Sequence, residues 1–230
     1  MSKKTRADLK VVLVGASGRM GREIRNLSAQ AGVKIAATVN APKDWQSVDA
    51  AQADVVIDFS SSEGLGGAIE WCVKHNVALV SGSTGLDAKV QAGLRAAGKK
   101  IPVLYSANMS QGIAVMNAML ENLKALGDWD FQIDEVHHSQ KKDKPSGTAL
   151  LLQDKLTQVL GRDLPTPLSV RGGGVPGIHT VWAMGPEETL TIQHTAFNRQ
   201  VFARGALVAG RWLFDKAKPG LYDLSDLYRK

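Results

Sequence analysis

VVLVGASGRMG, residues Val11–Gly21, is the stretch of this 230-residue chain that decides its fold. The apolar run Val11–Val14 predicts a buried strand, and the apolar spacing across Arg19–Ala31 predicts a helix directly after it. Between them, three evenly spaced glycines form a GxxGxxG turn. Such glycines allow a tight turn, a close approach of the backbone to a pyrophosphate, and close packing of the helix on the strand. The stretch predicts a dinucleotide-binding unit, with an ordinary strand–helix turn as the alternative.

The chain from residue 34 to residue 105 continues this alternation of short apolar strands and helices. The predicted strands are Lys34–Val39, Asp54–Phe59, Asn76–Val80 and Ile101–Tyr105, and the predicted helices are Leu65–His75 and a second one around Leu86–Ala97. This alternation predicts an α/β fold with a Rossmann-like, doubly wound parallel sheet, whose ligands bind outside the carboxyl ends of the strands. We therefore expect Gly82–Thr84 to contact the nicotinamide end of a dinucleotide, although a polar loop without a ligand is the alternative.

The end of the second strand bears on the type of dinucleotide. An acidic residue there usually accepts hydrogen bonds from the adenosine ribose. In this chain Val39 and Asn40 stand at that place, with Lys43 close by. The missing carboxylate weakens the rejection of a ribose 2′-phosphate, so we expect use of NADPH or of both NADPH and NADH. Asp44 is a possible acid placed slightly later in the sequence.

The second half of the chain has a different pattern. The predicted helices are Gly112–Leu126, Thr148–Leu160 and a last one at Gln200–Phe214, and the predicted strands are Asp130–His138 and an antiparallel pair at His179–Ala183 and Thr189–His194. The segment Leu164–Gly177 is rich in Pro and Gly, and its part Arg171–Gly177 is expected to be flexible, without strand or helix period. We interpret residues 1–108, completed by 200–230, as the dinucleotide-binding domain. Residues 109–199 are expected to form a smaller α+β domain for substrate binding and oligomerisation.

EVHHSQKKDKPSGTAL, residues Glu135–Leu150, concentrates titratable side chains between a predicted strand and a predicted helix. Free N–H groups at a helix N-terminus attract anions, so this loop is expected to bind a small acidic substrate. Neighbouring His137 and His138 point to opposite faces of a regular strand. That geometry disfavours a two-histidine metal chelate, and no suitably spaced carboxylate or cysteine completes one, so no metal is expected. The alternatives are structural histidines and lysines that are simply solvated.

The composition excludes several classes of protein. The net charge of +6 is spread along the sequence, and aromatic residues make up only 6% of it, so no basic and aromatic patch typical of nucleic-acid binding is present. The single cysteine, Cys72, fits a reducing compartment and is expected to pack in a helix. No apolar run approaches the ~20 residues of a membrane span. We expect a cytoplasmic protein without a membrane or nucleic-acid partner.

A set of motifs resembles those of one enzyme family. The motifs are, in order, GASGRMG, DFSSSEG, SGSTG, SANMSQGIAVM, EVHHSQKKDKPSGTAL, RGGGVPGIHTV and TAFNRQVFARGAL. They resemble the 4-hydroxy-tetrahydrodipicolinate reductases, also called dihydrodipicolinate reductases, of lysine biosynthesis. The resemblance implies hydride transfer from NADPH or NADH to a cyclic dicarboxylate with loss of water. It also implies a homotetramer built through the sheet of the middle segment, and a C-terminal segment that returns to the nucleotide domain.

The resemblance also assigns roles to residues. It implies that His137 is the general acid and that Lys141 assists binding and catalysis, while His138, Ser146, Gly147 and Thr148 bind the substrate carboxylates. The implied cofactor-binding residues are Gly15, Gly18, Arg19, Met20, Gly21, Gly82, Ser83, Thr84, Ser106, Asn108 and Met109. Two departures from the family pattern are Ser139 and Gln140, which stand after the paired histidines where the family usually carries a basic side chain, and the missing acid at the second strand.

Two other functions remain open from sequence alone. The first is another nucleotide-dependent reductase of the same architecture, such as an amino-acid or sugar dehydrogenase. The second is a non-catalytic sensor that binds NAD(P)H. The density of histidine and lysine in Glu135–Leu150 favours an enzyme, because imidazole exchanges protons near neutral pH.

Overall fold

The structure is a computed structural model that describes residues 8–216 and 218–228. The helices and strands are β1 Leu9–Val14, α1 Arg19–Ser28, β2 Val33–Val39, β3 Val55–Asp58, α2 Ser62–His75, β4 Ala78–Ser81, α3 Ala88–Gly98, β5 Pro102–Tyr105, α4 Gln111–Met119, β6 Asp130–His137, α5 Gly147–Leu160, β7 Leu168–Arg171, β8 Gly177–Met184, β9 Thr189–Ala196, α6 Gln200–Lys216 and β10 Gly220–Tyr222. The described residues form two units. Unit 1 contains the chain up to Met109 together with Phe202–Leu227, and unit 2 contains Ser110–Val201 with Tyr228.

Unit 1 is organised on a parallel sheet. Its strand order is β10-β5-β4-β3-β1-β2, and each neighbouring pair runs parallel. The apolar runs of β1 and β3 are fully buried, as expected for strands that are covered on both faces. All carboxyl ends lie at one edge, so the glycine loop after β1 and the Ser/Gly-rich loops after β3 and β4 meet at that edge.

Unit 2 is organised on a mixed sheet with strand order β7-β6-β8-β9. Strand β6 runs parallel to β7 and antiparallel to β8, and β8 pairs with β9 in an antiparallel hairpin. The alternating burial of β6 places Phe131 and Ile133 on the inner face. There they join a core with Leu152 and Leu156 of α5. Glu135 and His137 follow in the same alternation, so these two polar side chains also point to the inner face.

The two sheets confirm the predicted fold class, a Rossmann-like parallel sheet accompanied by a separate, smaller α+β unit. Strand β7 was not predicted. It lies at Leu168–Arg171 in the Pro- and Gly-rich segment, pairs with β6 from Asp134 to His137, and ends on Arg171, the first residue of the stretch Arg171–Gly177 that was expected to lack a strand or helix period. A four-residue strand with alternating exposed residues has too little apolar period to stand out beside its glycines. No helix among the described residues is long and apolar enough to cross a membrane.

Candidate active site

The glycine loop after β1 allows a close backbone approach. Gly15 adopts φ +77°, and a Cβ on it would lie 2.3 Å from the carbonyl oxygen of Phe59. A Cβ on Gly21 would lie 2.3 Å from the carbonyl oxygen of Gly15. Side chains at these two places would force the loop, the next strand end and helix α1 apart. The geometry is that of a dinucleotide-binding turn, with the N-terminus of α1 at Arg19 directly after it.

A cavity of about 170 Å³ lies beside this loop in unit 1. Gly15, Asn40, Trp45 and Glu63 are among its lining residues. Asn40 connects the end of β2 to the glycine loop, because its Oδ1 accepts the backbone N–H of Ser17 at 2.9 Å. The cavity continues from the glycine loop to the end of β2, which is where the adenosine part of a dinucleotide binds in such folds.

Asp44, the possible late acid, fixes the turn after β2. Its Oδ2 accepts the backbone N–H groups of Asn40 and Ala41 at 2.8 and 3.0 Å. These two hydrogen bonds lower the pKa of the Asp44 carboxyl below its usual value. The carboxylate is therefore used to hold the backbone of Asn40 and Ala41. Lys43 is exposed in the same turn.

A buried carboxylate ties the loops after β3 and β4 together. Asp58, at the end of β3, is completely buried. Its Oδ2 accepts the hydroxyls of Ser81 and Ser83 at 2.8 and 2.7 Å, and its Oδ1 accepts the hydroxyl of Ser60. The Ser83 hydroxyl also accepts the backbone N–H of Ser60. The hydroxyl of Ser83 is thus engaged with Asp58 and Ser60, and its backbone N–H donates to the hydroxyl of Ser81 at 3.3 Å.

The other residues predicted to bind the cofactor also lie in unit 1. Gly18 and Arg19 are exposed, Met20 is half-buried, Gly82 lies against the ring of Phe59, Thr84 is exposed, Ser106 donates its hydroxyl to the carbonyl of Asn108, and Met109 is buried. All of them lie in loops or helix starts that follow the carboxyl ends of β1, β4 and β5. The structure therefore brings the predicted cofactor residues to one edge of the parallel sheet.

The predicted substrate residues lie in unit 2, between the end of β6 and the start of α5. Ser146 is the N-cap of α5, and its hydroxyl accepts the backbone N–H of Ala149 at 3.2 Å. Gly147 is exposed, and a Cβ on it would meet no atom within 4 Å. Thr148 and His138 are half-buried. Strand β6 ends at His137, so the alternation that separates the two histidines does not continue through His138.

Lys141 lies in the loop between β6 and α5. Its side chain is 22% exposed, and its Nζ pairs with Asp143 at 2.9 Å. Lys142 and Lys144, by contrast, are exposed. Lys141 is thus more covered than its two neighbouring lysines.

A buried polar cluster surrounds His137. Glu135, two residues earlier on the same face of β6, is completely buried, and its Oε2 is in direct contact with Nδ1 of His137. Its Oε1 accepts from Arg171 Nη2 and from the Ser169 hydroxyl, both at 2.7 Å, and from the backbone N–H of Ser146 at 3.2 Å. Burial would raise the pKa of Glu135, but these hydrogen bonds outweigh it and lower the pKa to about 2.

His179 of β8 completes the cluster. Its ring meets the His137 ring edge-on, with 5.0 Å between the centroids, and its Nε2 lies 3.3 Å from the Ser146 hydroxyl. Burial lowers the pKa of His179 to about 3, and the neighbouring His137 adds to the effect. Burial also lowers the pKa of His137, although Glu135 opposes the change.

Glu135, His137 and His179 offer possible metal-ligand atoms within 4.8 Å of one another, a combination that the sequence did not suggest. The carboxylate is already engaged, however, because Oε1 faces the Arg171 guanidinium and Oε2 faces Nδ1 of His137. A cation placed there would meet the positive charge of Arg171 and would have to displace both contacts. The arrangement therefore favours proton chemistry at His137.

Family models match both halves of the chain. The model described as "Dihydrodipicolinate reductase, N-terminus" matches residues 9–109, and the model described as "Dihydrodipicolinate reductase, C-terminus" matches residues 112–228.

The chain belongs to the dihydrodipicolinate reductase family.

Curated relatives and a solved structure agree with this assignment. A 4-hydroxy-tetrahydrodipicolinate reductase of Bdellovibrio bacteriovorus is 44% identical over 220 residues, covering 95% of this chain and 96% of the relative. One from Stenotrophomonas maltophilia is 39% identical over 235 residues, covering 95% and 97%. The fold is similar to that of a dipicolinate-bound dihydrodipicolinate reductase from Paenisporosarcina sp. TG-14, with a TM-score of 0.77, 20% identity, and coverage of 96% of this chain and 99% of that chain.

Membership of the dihydrodipicolinate reductase family confirms the resemblance that the motifs suggested. Reductases of this family are NAD(P)H-dependent oxidoreductases, and the parallel sheet of unit 1, with its glycine loop, fits such a cofactor. This outcome decides against a non-catalytic sensor.

Sequence reasoning missed Glu135, Ser169, Arg171 and His179 as parts of the site. A signal existed for Glu135, because it stands two residues before His137 and so shares its face of the strand. Arg171 lay in the segment expected to lack secondary structure, and only the pairing of β7 with β6 brings it to Glu135. His179 was assigned to a strand, but no local pattern shows that this strand is the neighbour of β6.

Proposed function

We propose that this protein reduces 4-hydroxy-tetrahydrodipicolinate to tetrahydrodipicolinate with loss of water, using NADPH or NADH, in the diaminopimelate route to lysine. The observation that carries the proposal is the cluster at the end of β6, in which a buried histidine contacts an ionised carboxylate next to the start of a helix. The family assignment and the names of the relatives supply the substrate.

Unit 1 binds the dinucleotide in this proposal. Gly15 and Gly21 allow the tight turn and the close packing of helix α1 on it. Arg19 and Met20 open helix α1, whose N-terminus would face the pyrophosphate. The cavity next to Asn40 and Trp45 would hold the adenosine part. The remaining contacts come from Gly18, Gly82, Ser83, Thr84, Ser106, Asn108 and Met109. The bound nicotinamide supplies a hydride.

Unit 2 binds the dicarboxylate. Lys141 contributes a positive charge, and the exposed backbone at Gly147 leaves a carboxylate free to approach the N-terminus of α5. His138, Ser146 and Thr148 complete this set. Loss of water takes the hydroxyl and one hydrogen from the ring, and the reduction adds one hydride and one proton to it. His137 donates that proton from Nε2. Neutral His137 is then returned to the protonated state by solvent.

The open face of the unit 2 sheet supports the proposed homotetramer. Leu168, Val170 and Trp182 are 59%, 54% and 38% exposed. The register places Leu168 beside Asp134 and Val170 beside Val136, on the face opposite to Phe131 and Ile133. A face of this kind is suited to a second copy of the sheet.

We also place the protein in the cytoplasm. A buried, reduced Cys72 and the use of a soluble pyridine nucleotide both fit that compartment.

Replacement of His137 tests the proposal. We expect His137→Gln to lower kcat by about 10²- to 10⁴-fold, because proton donation contributes about that much, while KM for the dicarboxylate changes only modestly. Lys141→Ala is expected to damage both kcat and KM. The measurement is initial rates with NADPH and with NADH on the cyclic dicarboxylate.

A matched control is His75→Gln, which makes the same chemical change at an exposed histidine of unit 1 whose ring rests on Trp71. It should leave turnover unchanged. Near-normal turnover of both His137→Gln and Lys141→Ala would overturn the proposed roles. Faster turnover of a linear amino-acid or sugar substrate than of the cyclic dicarboxylate would overturn the substrate.

A further inference from the structure

Glu135 is buried with its two oxygens assigned to different tasks. Oε1 receives three donors from two separate segments, namely Ser146 at the start of α5 and Ser169 and Arg171 of β7. The Arg171 guanidinium is itself held, because it also donates to the carbonyl oxygens of Asp143 and Val170 at 2.6 and 2.8 Å. The carboxylate therefore cannot rotate without breaking several charge-assisted hydrogen bonds.

Oε2 is left for His137 alone. Oε2 and Nδ1 of His137 are both buried, they touch each other, and neither has another hydrogen-bonding partner among the described residues. An ionised carboxylate can only accept hydrogen bonds. The contact is therefore favourable only when Nδ1 carries a proton, which fixes the tautomer of the neutral ring and leaves the exchangeable site at Nε2.

Two residues of β8, Gly177 and His179, lie against the ring of His137. Nε2 faces Gly177 of β8, where a Cβ would lie at 3.0 Å. The edge-on ring of His179 supports the His137 ring from β8 without contributing a charge, because burial holds the pKa of His179 at about 3. Any side chain larger than glycine at position 177 would crowd the atom that must meet the substrate.

We propose that Glu135 is a positioning residue for the reduction, which holds His137 through Nδ1 so that Nε2 is the atom that exchanges the proton, with Arg171 and Ser169 keeping the carboxylate in place. The inference rests on the proposed function, since it needs His137 to act as the acid. It extends that function by naming the side chains that prepare His137. In hydrolytic triads a carboxylate orients a catalytic histidine in the same way.

The groups that face His137 determine its pH response. They are Glu135 on its own strand, Lys141 in the following loop, Arg171 on β7 and His179 on β8. Glu135 raises the pKa of His137, while burial and the two cations lower it. Removal of the carboxylate therefore lowers the pKa of His137 further. The pH at which activity declines should move downward, because a general acid must be protonated to act.

The first experiment needs no mutation. The tautomer of His137 is read by NMR in protein labelled with ¹⁵N-histidine, and the signal is assigned by its disappearance in His137→Gln. We expect the neutral ring to carry its proton on Nδ1. A ring protonated on Nε2 at neutral pH would overturn the inference even if His137 proves essential for turnover.

The second experiment compares Glu135→Gln with the wild-type protein. We expect kcat to fall by roughly 10- to 100-fold, with KM for the dicarboxylate within about threefold, and the activity decline to move to lower pH. Glu135→Asp keeps the charge and should recover part of kcat. The matched control is Glu121→Gln, at an exposed carboxylate that pairs with Lys155 on the surface of the same unit, and it should have no effect on kcat.

A double variant separates the inference from the proposed function. If Glu135 acts through His137, adding Glu135→Gln to His137→Gln should reduce kcat little further. A fully additive loss would overturn the inference, as would wild-type kcat in Glu135→Gln. An active His137→Gln variant would instead refute the proposed role of His137. Should Glu135→Gln fail to fold, the tautomer measurement and Glu135→Asp still decide the matter.

Discussion

Among the residues that the structure describes, each unit buries one carboxylate completely, and the two carboxylates are stabilised in opposite ways. Asp58 of unit 1 accepts hydrogen bonds from the hydroxyls of Ser60, Ser81 and Ser83. Glu135 of unit 2 faces the guanidinium of Arg171. Burial raises the pKa of Asp58 and the hydroxyls do not compensate for it, whereas the donors around Glu135 lower its pKa to about 2.

The difference shows how a buried cation such as Arg171 changes the role of a buried carboxylate. Hydroxyls can turn to donate or accept, so the network around Asp58 is suited to holding two loops together whatever its charge. The network around Glu135 requires an ionised carboxylate, because a guanidinium cannot accept a hydrogen bond and a protonated Glu135 would face it as a donor. Unit 1 thus uses its carboxylate as a structural tie, and unit 2 uses its carboxylate as a fixed charge beside His137.

The largest expected effect comes from removing the cation. Arg171→Met leaves Glu135 buried with no positive partner on Oε1, and breaking one side of a buried ion pair costs about 3–5 kcal/mol. We expect the free energy of unfolding to fall by about that amount in urea titrations at neutral pH. The matched control is Arg162→Met, which makes the same chemical change at an exposed arginine of the same unit. Arg162 lies over the ring of Phe131.

A double variant checks the reason for that loss. Arg171→Met combined with Glu135→Gln removes the unpaired charge and should be more stable than Arg171→Met alone, because the desolvation penalty of the carboxylate is gone. If the double variant is instead less stable than either single one, the two residues do not form the coupled pair described here.

The contrast between the units also explains what the sequence could predict. The site in unit 1 depends on backbone geometry, and the glycines at positions 15 and 21 report that geometry directly because no other residue fits. Apolar runs between such loops predicted the parallel sheet. Even there, the task of Ser83 was not predictable, because its partner Asp58 is on another strand and only strand pairing brings the two together.

The site in unit 2 depends on side chains from separated segments. The sequence identified His137, Lys141 and the loop to α5, since these stand close together in the chain. It did not identify Arg171, because the register of β7 against β6 joins residues 36 positions apart. Pairing between strands is determined by packing of the whole unit, so a single sequence contains no local signal for it.

The second prediction concerns the pH dependence of the stability, to which the buried His179 of unit 2 contributes. The folded pKa of His179 is about 3, while the unfolded value is near 6.5. A histidine with a lowered folded pKa stabilises the fold above the unfolded pKa, and this contribution is lost as the pH falls from 6.5 towards 3. We expect the wild-type protein to lose roughly 2 kcal/mol more than His179→Gln between pH 7 and pH 5. Calorimetric unfolding at the two pH values measures it.

The control for His179 is His75→Gln, whose stability should follow that of the wild-type protein over the same pH range, since His75 is exposed. Equal pH dependence of His179→Gln and the wild-type protein would show that His179 is not kept neutral by burial. The loss of stability that is attributable to Glu135 should appear only at lower pH. Its contribution to the stability of the fold is present above about pH 4.5 and is lost as the pH falls towards its folded pKa of about 2.

The smallest expected effect is that of Asp58→Asn. The hydroxyls of Ser60, Ser81 and Ser83 can reorient around an amide, so the loss of unfolding free energy at neutral pH should be about 1 kcal/mol, the size of one neutral hydrogen bond. The sign of the pH effect is opposite to that of Glu135. Because the folded pKa of Asp58 is raised, the folded state binds a proton more readily, and the wild-type protein gains stability relative to Asp58→Asn as the pH falls through that pKa. Urea titrations at pH 7 and pH 5 measure both quantities. Two outcomes would contradict this prediction: a loss of unfolding free energy as large as that of Arg171→Met, or a wild-type protein that becomes less stable relative to Asp58→Asn as the pH falls. Either would mean that Asp58 is a fixed charge like Glu135 and that the two carboxylates do not differ in kind.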